Sequence, residues 1–243
     1  GLTQLLGQPL AHAALFGLMA FGLGLLLSLP WIGPVLALSL LPTLNAGWVH
    51  ASTLAQQGER LTPLLLFAPL RSPQRNKLLQ LGGLHAAAAL LMFALAGLID
   101  PDFANQWNLA LGGAEADDEI TDRAVSAVQQ GLLLRLLLLL PVLLAFWHAP
   151  VIIHRTGASL AKALFASGLA TLRNLGTFVV YGLTWVGADL LLSALVGGLL
   201  GLIGQSALAV MVVVPSSMLF SAAFFASIHA SVHGCIEFTD TPD

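Results

Sequence analysis

Long apolar runs alternate with short polar connections along almost the whole 243-residue chain. A run of about 20 apolar residues, rising ~1.5 Å per residue in a helix, matches the ~30 Å hydrocarbon core of a bilayer. Six runs reach this length, at about residues 10–29, 34–52, 78–99, 131–149, 175–200 and 206–229. The pattern predicts an all-α fold: one transmembrane domain over residues 1–243, with six transmembrane helices arranged as three hairpins.

Composition places the chain in the membrane class. Charged residues make up 9% of the sequence and hydrophobic residues 57%, with a mean hydropathy of +0.88, whereas a soluble domain carries roughly a quarter of charged residues. The nine Lys and Arg residues form no strong patch, so we expect no nucleic-acid partner. The single cysteine excludes an intrachain disulfide and a thiolate metal cluster.

Charges in the connections predict the orientation. The connection after the second span carries Arg60, Arg71, Arg75 and Lys77 against Glu59, and the one after the fourth carries Arg155, Lys162 and Arg173 with no acid. Residues 100–130 instead carry seven acids against Arg123: Asp100, Asp102, Glu115, Asp117, Asp118, Glu119 and Asp122. Lys and Arg accumulate on the cytoplasmic side. We therefore expect both termini in the cytoplasm and an acidic outer loop at residues 100–130.

The two basic connections resemble each other. Shifting residues 50–76 forward by 98 positions places His50-Ala51 on His148-Ala149 and Arg75-Asn76 on Arg173-Asn174. This repeat predicts that each of the first two hairpins is followed by a short helix in the cytoplasmic interface. Because the repeat is parallel, it lacks the inverted symmetry of many secondary transporters.

Three cations mark the second interfacial helix. Arg155, Lys162 and Arg173 are separated by 7 and 11 residues, which returns to within ~20° on a continuous helix. Such a stripe suits contact with anionic lipid headgroups, at about 1 kcal/mol per residue. The same cations are equally explained as charges that only set the topology.

One acidic residue lies inside a predicted span. Asp189 belongs to the outer half of span five, at a depth similar to that of Arg135 in span four. An unpaired charge in hydrocarbon costs several kcal/mol, so we expect an Arg135–Asp189 ion pair that links the two spans. The alternatives are a protonatable transport residue at Asp189 and separate local solvation of the two groups.

Two further patterns concern ligands and packing. His229 and His233 are at i and i+4, a spacing that can hold a metal ion. No HExxH-type carboxylate accompanies them, so structural roles at the interface are favoured and no cofactor is expected. Gly197 and Gly201 form a GxxxG-like surface that allows close helix approach, either inside the protein or with a partner.

A family resemblance rests on the segment after span four. It holds Phe146-Trp147, Ala149-Pro150, Ala163-Leu164 with Ser167, and Arg173-Asn174. This Ala-Pro … Ala-Leu-x-x-Ser … Arg-Asn pattern resembles a family of proteobacterial six-helix inner-membrane proteins with no assigned activity. The resemblance implies the six-span architecture and the bacterial inner membrane, and it brings no catalytic residues.

The function predicted from these observations is non-enzymatic. The sequence has no nucleophile motif, phosphate-binding loop or paired catalytic carboxylates, and its connections are short. We expect an accessory, assembly or stabilising component of a larger membrane complex, with membrane lipids and partner subunits as its contacts. The alternatives are a small transporter or channel-like protein that uses Asp189 and Arg135, and a His-ligated metal or haem subunit.

Overall fold

The computed structural model describes residues 8–111, 118–202, 204, 209–236 and 238, and no strand occurs among them. A 3-10 helix covers Pro63–Phe67. The α-helices are α1 Pro9–Leu27, α2 Ile32–Gln56, α3 Ala68–Arg71, α4 Arg75–Ile99, α5 Phe103–Leu111, α6 Asp118–Phe146, α7 Ala149–Thr156, α8 Leu160–Arg173, α9 Leu175–Leu202 and α10 Ala209–Cys235.

Six helical segments are long and apolar enough to cross a membrane: α1, α2, α4, α6 with α7, α9 and most of α10. Within hydrocarbon, a helix satisfies its backbone hydrogen bonds internally, which explains why these runs are helical; the fourth is interrupted at residues 147–148, between α6 and α7. The predicted all-α fold with six membrane-spanning helices is confirmed. Residues 206–208, where the sixth span was predicted to begin, lie outside the described residues.

The connection between α1 and α2 is as short as the sequence predicted. A Cβ atom added to Gly33 would lie 1.9 Å from the carbonyl oxygen of Leu26, so only glycine fits at this approach. Trp31, which precedes α2, has a positive φ of 63°. The two helices therefore meet through a tight turn in which the backbone of one contacts the backbone of the other.

Helix α2 is the centre of the bundle, and it packs most extensively against α4. Glycine also allows two further close backbone approaches to α2. A Cβ on Gly82 of α4 would lie 2.0 Å from the Ser39 carbonyl oxygen, and a Cβ on Gly47 would lie 2.2 Å from that of Leu66 in the 3-10 helix. Because glycine has no side chain, the backbones can approach each other closely at both positions, as small residues allow between membrane helices.

One end of the bundle, here called the acidic end, contains residues 100–111 and the start of α6. The sequence predicted a loop at 100–130, but the structure forms α5 and the first turns of α6 there. Helix α5 packs along α6, although none of its residues is fully buried. Residues 112–117, including Glu115 and Asp117, lie outside the described residues.

The opposite end, here called the basic end, contains the two short connections, residues 57–74 and 156–174. The second connection is not one continuous helix. Gly157 adopts a positive φ of 64° and ends α7 before α8 begins. The Lys77 ammonium at the start of α4 donates a hydrogen bond to the Gly157 carbonyl oxygen, which fixes this turn. The basic stripe predicted for a continuous helix therefore does not form.

Candidate functional site

The segment between α6 and α7 is where most helices of the basic end meet. Asn45 of α2 donates a hydrogen bond from Nδ2 to the Trp147 carbonyl oxygen at 3.0 Å. The Trp147 indole Nε1 donates to Ser231 Oγ of α10 at 3.1 Å, and its ring lies edge-on to Phe178 of α9. Trp147 thus connects α2, α9 and α10 at the point where α6 ends.

Helix α7 continues from this point into the interior. Its residues from Ala149 to Ile153 are all buried, and it packs against α2, α4 and α8. Pro150 begins this helix in its first turn, where a missing N–H costs nothing. The Ala-Pro of the sequence pattern therefore starts a buried helix, which leaves α8 as the candidate for the predicted interfacial helix.

The break between α6 and α7 leaves backbone groups that α8 satisfies. The Oγ atom of Ser167 accepts a hydrogen bond from the His148 backbone amide at 2.9 Å. The Thr171 hydroxyl lies 3.3 Å from the Leu144 carbonyl oxygen. Both hydroxyl-bearing residues are fully buried. The sequence analysis did not identify the structural role of this serine. Ser167 lies four residues after Ala163, which places both on one face of α8, and this spacing could have indicated that the serine is buried.

Helix α9 is held to α10 by aromatic contacts in the half nearest the basic end. The Tyr181 and Ser227 hydroxyl oxygens are 2.5 Å apart. The Trp185 ring lies 5.1 Å from that of Phe220 and 5.5 Å from that of Phe224. These contacts stop before the middle of α9, and the other half of the helix is largely exposed.

The structure does not bring Arg135 and Asp189 together. The Arg135 guanidinium donates from Nη1 to Asp100 Oδ2 at 2.8 Å and lies over the Phe103 ring at 3.6 Å. Asp100 ends α4, which packs beside α6, whereas α9 makes no comparable contact with α6. The predicted ion pair is wrong because the neighbour of α6 at this depth is α4 with its α5 extension.

Asp189 instead lies on the exposed surface in the middle of α9. No ion pair between described residues involves it. In the apolar 18-residue stretch of α9, only 6% of the residues are buried, against 50% in the corresponding stretch of α2. The carboxyl group therefore points away from the rest of the bundle, at a position that the length of the helix places inside the membrane.

Gly197 and Gly201 share this exposed half of α9. A Cβ atom at either position would meet nothing within 4 Å, so none of the described residues packs on the predicted small-residue surface. Ser193, which the sequence analysis did not single out, is also exposed. Asp189, Ser193, Gly197 and Gly201 follow one another at four-residue spacing, which places them on one gently winding strip of the helix surface. We call these four residues the α9 strip.

The three cations of the predicted stripe occupy two helices. Arg155 is on α7, and Lys162 and Arg173 are on α8, all with exposed side chains. Beside Lys162 and Arg173, helix α8 exposes Phe165 and Leu172. A helix with one buried face and an outer face of apolar and basic residues is typical of the membrane interface.

Two pairs of histidine rings lie close together at the basic end. The rings of His229 and His233 lie 4.4 Å apart, and the rings of His50 and His154 lie 5.6 Å apart in an edge-to-face arrangement. No set of three or more His, Cys, Asp or Glu residues with metal-binding geometry occurs in the described part of the chain. The i, i+4 histidine pair thus has no third ligand among those residues.

These features define a polytopic, all-helical integral membrane protein. The chain is 31% identical over 231 residues to the probable inner membrane protein BTH_II0599 of Burkholderia thailandensis, an alignment that covers 94% of this chain and 85% of that relative. It belongs to the same family and is a multi-pass protein of the bacterial inner membrane, which confirms the family resemblance of its sequence pattern. No family model matches the chain, and no solved structure gives a significant match.

Proposed function

We propose that the protein is a non-enzymatic accessory, assembly or stabilising component of a larger complex in the inner membrane. The observation that carries this proposal is the uncovered α9 strip. A carboxyl group and three small residues are exposed on a membrane-spanning helix that the other described residues hardly cover. Hydrocarbon is a poor environment for an isolated carboxylate, so a second helix on this strip would remove an energetic cost.

The occupant that fits the strip is a membrane-spanning helix with a basic or hydrogen-bond-donating side chain opposite Asp189. Ser193, Gly197 and Gly201 allow its backbone to come close. A second copy of this chain fits less well, because a symmetric contact would bring two Asp189 carboxyl groups together, and like charges repel. We therefore favour a different protein as the partner.

Membrane lipids complete the proposed surroundings. Lys162 and Arg173 of α8 would contact anionic headgroups while Phe165 and Leu172 enter the acyl boundary, as interfacial helices do. The transporter alternative has no specific observation in its favour, because Asp189 is on the outside of the bundle.

Site-specific photo-crosslinking in living bacteria tests the partner. A photoreactive phenylalanine analogue at Ser193 should yield an adduct whose attached peptide belongs to a transmembrane segment with Lys or Arg near the linked residue. The same analogue at exposed Leu191, on the other side of α9, is the control for chance collisions. Gly197→Leu and Asp189→Asn should abolish the adduct, whereas Gly187→Leu, which also faces open space, should not.

Three results would contradict the proposal. An adduct formed only with a second copy of the chain would replace the partner with a homodimer. Equal crosslinking from Ser193 and Leu191 would show that the strip has no specific occupant. Loss of the isolated protein's stability in the Gly197→Leu variant would show that the strip packs within the chain.

A further inference from the structure

A cavity at the basic end is lined by nitrogen-bearing side chains from both repeats. It has a volume of about 150 Å³ and lies between α2, which contributes His50 and Thr53, and α7, which contributes His154 and Arg155. At ~30 Å³ for each water molecule, it has room for about five waters or one small oxyanion. We call it the imidazole cavity.

The described polar side chains that line the imidazole cavity are basic or neutral. Its polar lining consists of two imidazoles, one guanidinium and one hydroxyl, and no acidic residue is among the described residues that line it. Arg155 also lies close enough to His229 and His233 of α10 for their charges to interact. A guanidinium next to imidazoles without a carboxylate is unsuited to a metal cation, but it presents several N–H donors to an anion.

Buried nitrogen atoms near the cavity lack hydrogen-bond partners. The Nδ1 atom of His154, which lines the cavity, is buried without a partner among the described residues. Outside the lining, Nε2 of the buried His229 near Arg155 is likewise without a partner among those residues. Buried polar atoms are usually satisfied by protein groups or ligands. Unpartnered ring nitrogens next to a cavity that holds an arginine point to a bound group that accepts hydrogen bonds.

The walls of the cavity are rigid enough to hold such a group in place. Val49 and Val151, which line it, belong to a buried apolar cluster with Ile228 and Val232 of α10. The Arg155 guanidinium is positioned by stacking over the Phe238 ring at 4.7 Å. The donors thus stand on packed helices, not on mobile loops.

We propose that the imidazole cavity binds a phosphate-type oxyanion at the basic end of the bundle. Arg155 would pair with two of its oxygens, as guanidinium groups do with phosphate, while His50 and His154 would donate from their ring nitrogens. The phosphate could belong to an anionic lipid headgroup or to a free, water-soluble phosphate. The shared chemistry is the same, and the experiment separates the two sources.

The test uses the full chain in nanodiscs of phosphatidylcholine. In one arm, phosphatidylglycerol is titrated and bound lipid is counted by native mass spectrometry; in the other, inorganic phosphate is titrated by calorimetry, with chloride as the reference anion. Saturable phosphatidylglycerol binding that inorganic phosphate does not displace identifies the lipid source. Saturable binding of inorganic phosphate, but not chloride, identifies the free anion.

Variants connect either result to the cavity. Arg155→Gln should weaken binding about tenfold or more, which corresponds to the loss of one charge-assisted pairing. The His50→Gln, His154→Gln double variant should weaken it similarly, and Arg155→Lys should have a smaller effect because a point charge remains. Arg71→Gln removes one exposed charge from the same end outside the cavity, so its binding should stay within about twofold of wild type.

Two outcomes would overturn the proposal. One is an Arg71→Gln loss as large as that of Arg155→Gln, which would reduce the effect to the general charge of the basic end. The other is that neither probe binds wild type more tightly than Arg155→Gln. Thermal unfolding of each variant is measured in parallel; because the Arg155 side chain is exposed, we expect that variant to remain folded.

Discussion

The Oγ atom of Ser167 accepts a hydrogen bond from the backbone amide of His148 at 2.9 Å. This contact lies where α6 ends and α7 begins, so the amide is beyond the regular hydrogen bonding of either helix. A side chain of α8 thus satisfies the backbone group that the break exposes, as neighbouring helices do at interruptions in membrane proteins. The contact explains why a serine follows the Ala-Pro segment at this distance in the sequence.

Replacement of Ser167 by alanine should destabilise the protein by about 1–3 kcal/mol, because the buried His148 amide would lose its acceptor. The measurement is the free energy of unfolding in mixed micelles on titration with a denaturing detergent. Ser159→Ala is a matched control directly before the same helix, since Ser159 is exposed and its side chain makes no capping hydrogen bond. Equal stability of the two variants would show that the Ser167 contact has no energetic role.

The Arg135–Asp100 pair gives a second prediction, which also tests it against the Arg135–Asp189 pair that the sequence predicted. Both side chains are largely buried, at 14% and 29% exposure, so the pair is screened less than a surface ion pair. A double-mutant cycle with Arg135→Met and Asp100→Asn should show a coupling of about 1.5–3 kcal/mol. The cycle with Asp189→Asn should show less than about 0.5 kcal/mol. A larger coupling to Asp189 would restore the pairing that the sequence predicted.

Two adjacent glycines of α4 give a third prediction. A Cβ at Gly82 would lie 2.0 Å from the Ser39 carbonyl oxygen, whereas a Cβ at Gly83 would meet nothing within 4 Å. Gly82→Ala should therefore cost about 1–3 kcal/mol through overpacking against rigid backbone. Gly83→Ala should instead be neutral or stabilising by roughly 0.5–1 kcal/mol, since alanine is the better helix former. Unfolding of the two variants under the same conditions decides; equal losses would contradict the close approach of α2 and α4.

The contrast between Gly82 and Gly197 shows which parts of the structure the sequence could predict. Spans require only apolar length, so hydropathy placed all six membrane-spanning helices. Which glycine lies at a helix crossing depends on the neighbour, and a helix that is apolar all round carries no mark of its packed face. The sequence therefore identified Gly197 and Gly201, which face open space, and missed Gly47 and Gly82, which face backbone.

The same limit applies to the charged residues. The sequence-based pairing of Arg135 with Asp189 used only their similar depth in the membrane, and depth does not determine which helices are neighbours. The sequence did not identify the neighbour of α6. The acids of residues 100–130 predicted only a polar loop, whereas this segment forms α5, which packs along α6. The His50–His154 contact was likewise hidden, because the repeat aligns His50 with His148 and places His154 six residues further on.

The orientation of the bundle gives the last prediction. Basic connections at one end and acids at the other predict that the basic end faces the cytoplasm. Cys235, the only cysteine of the chain, ends α10 at the basic end and is partly exposed. A membrane-impermeant maleimide should label it in inverted inner-membrane vesicles and not in spheroplasts. In a Cys235→Ser background, Asn105→Cys on exposed α5 should show the opposite pattern. Labelling of Cys235 in spheroplasts and of residue 105 only in inverted vesicles would reverse the topology, and the imidazole cavity would then face the periplasm.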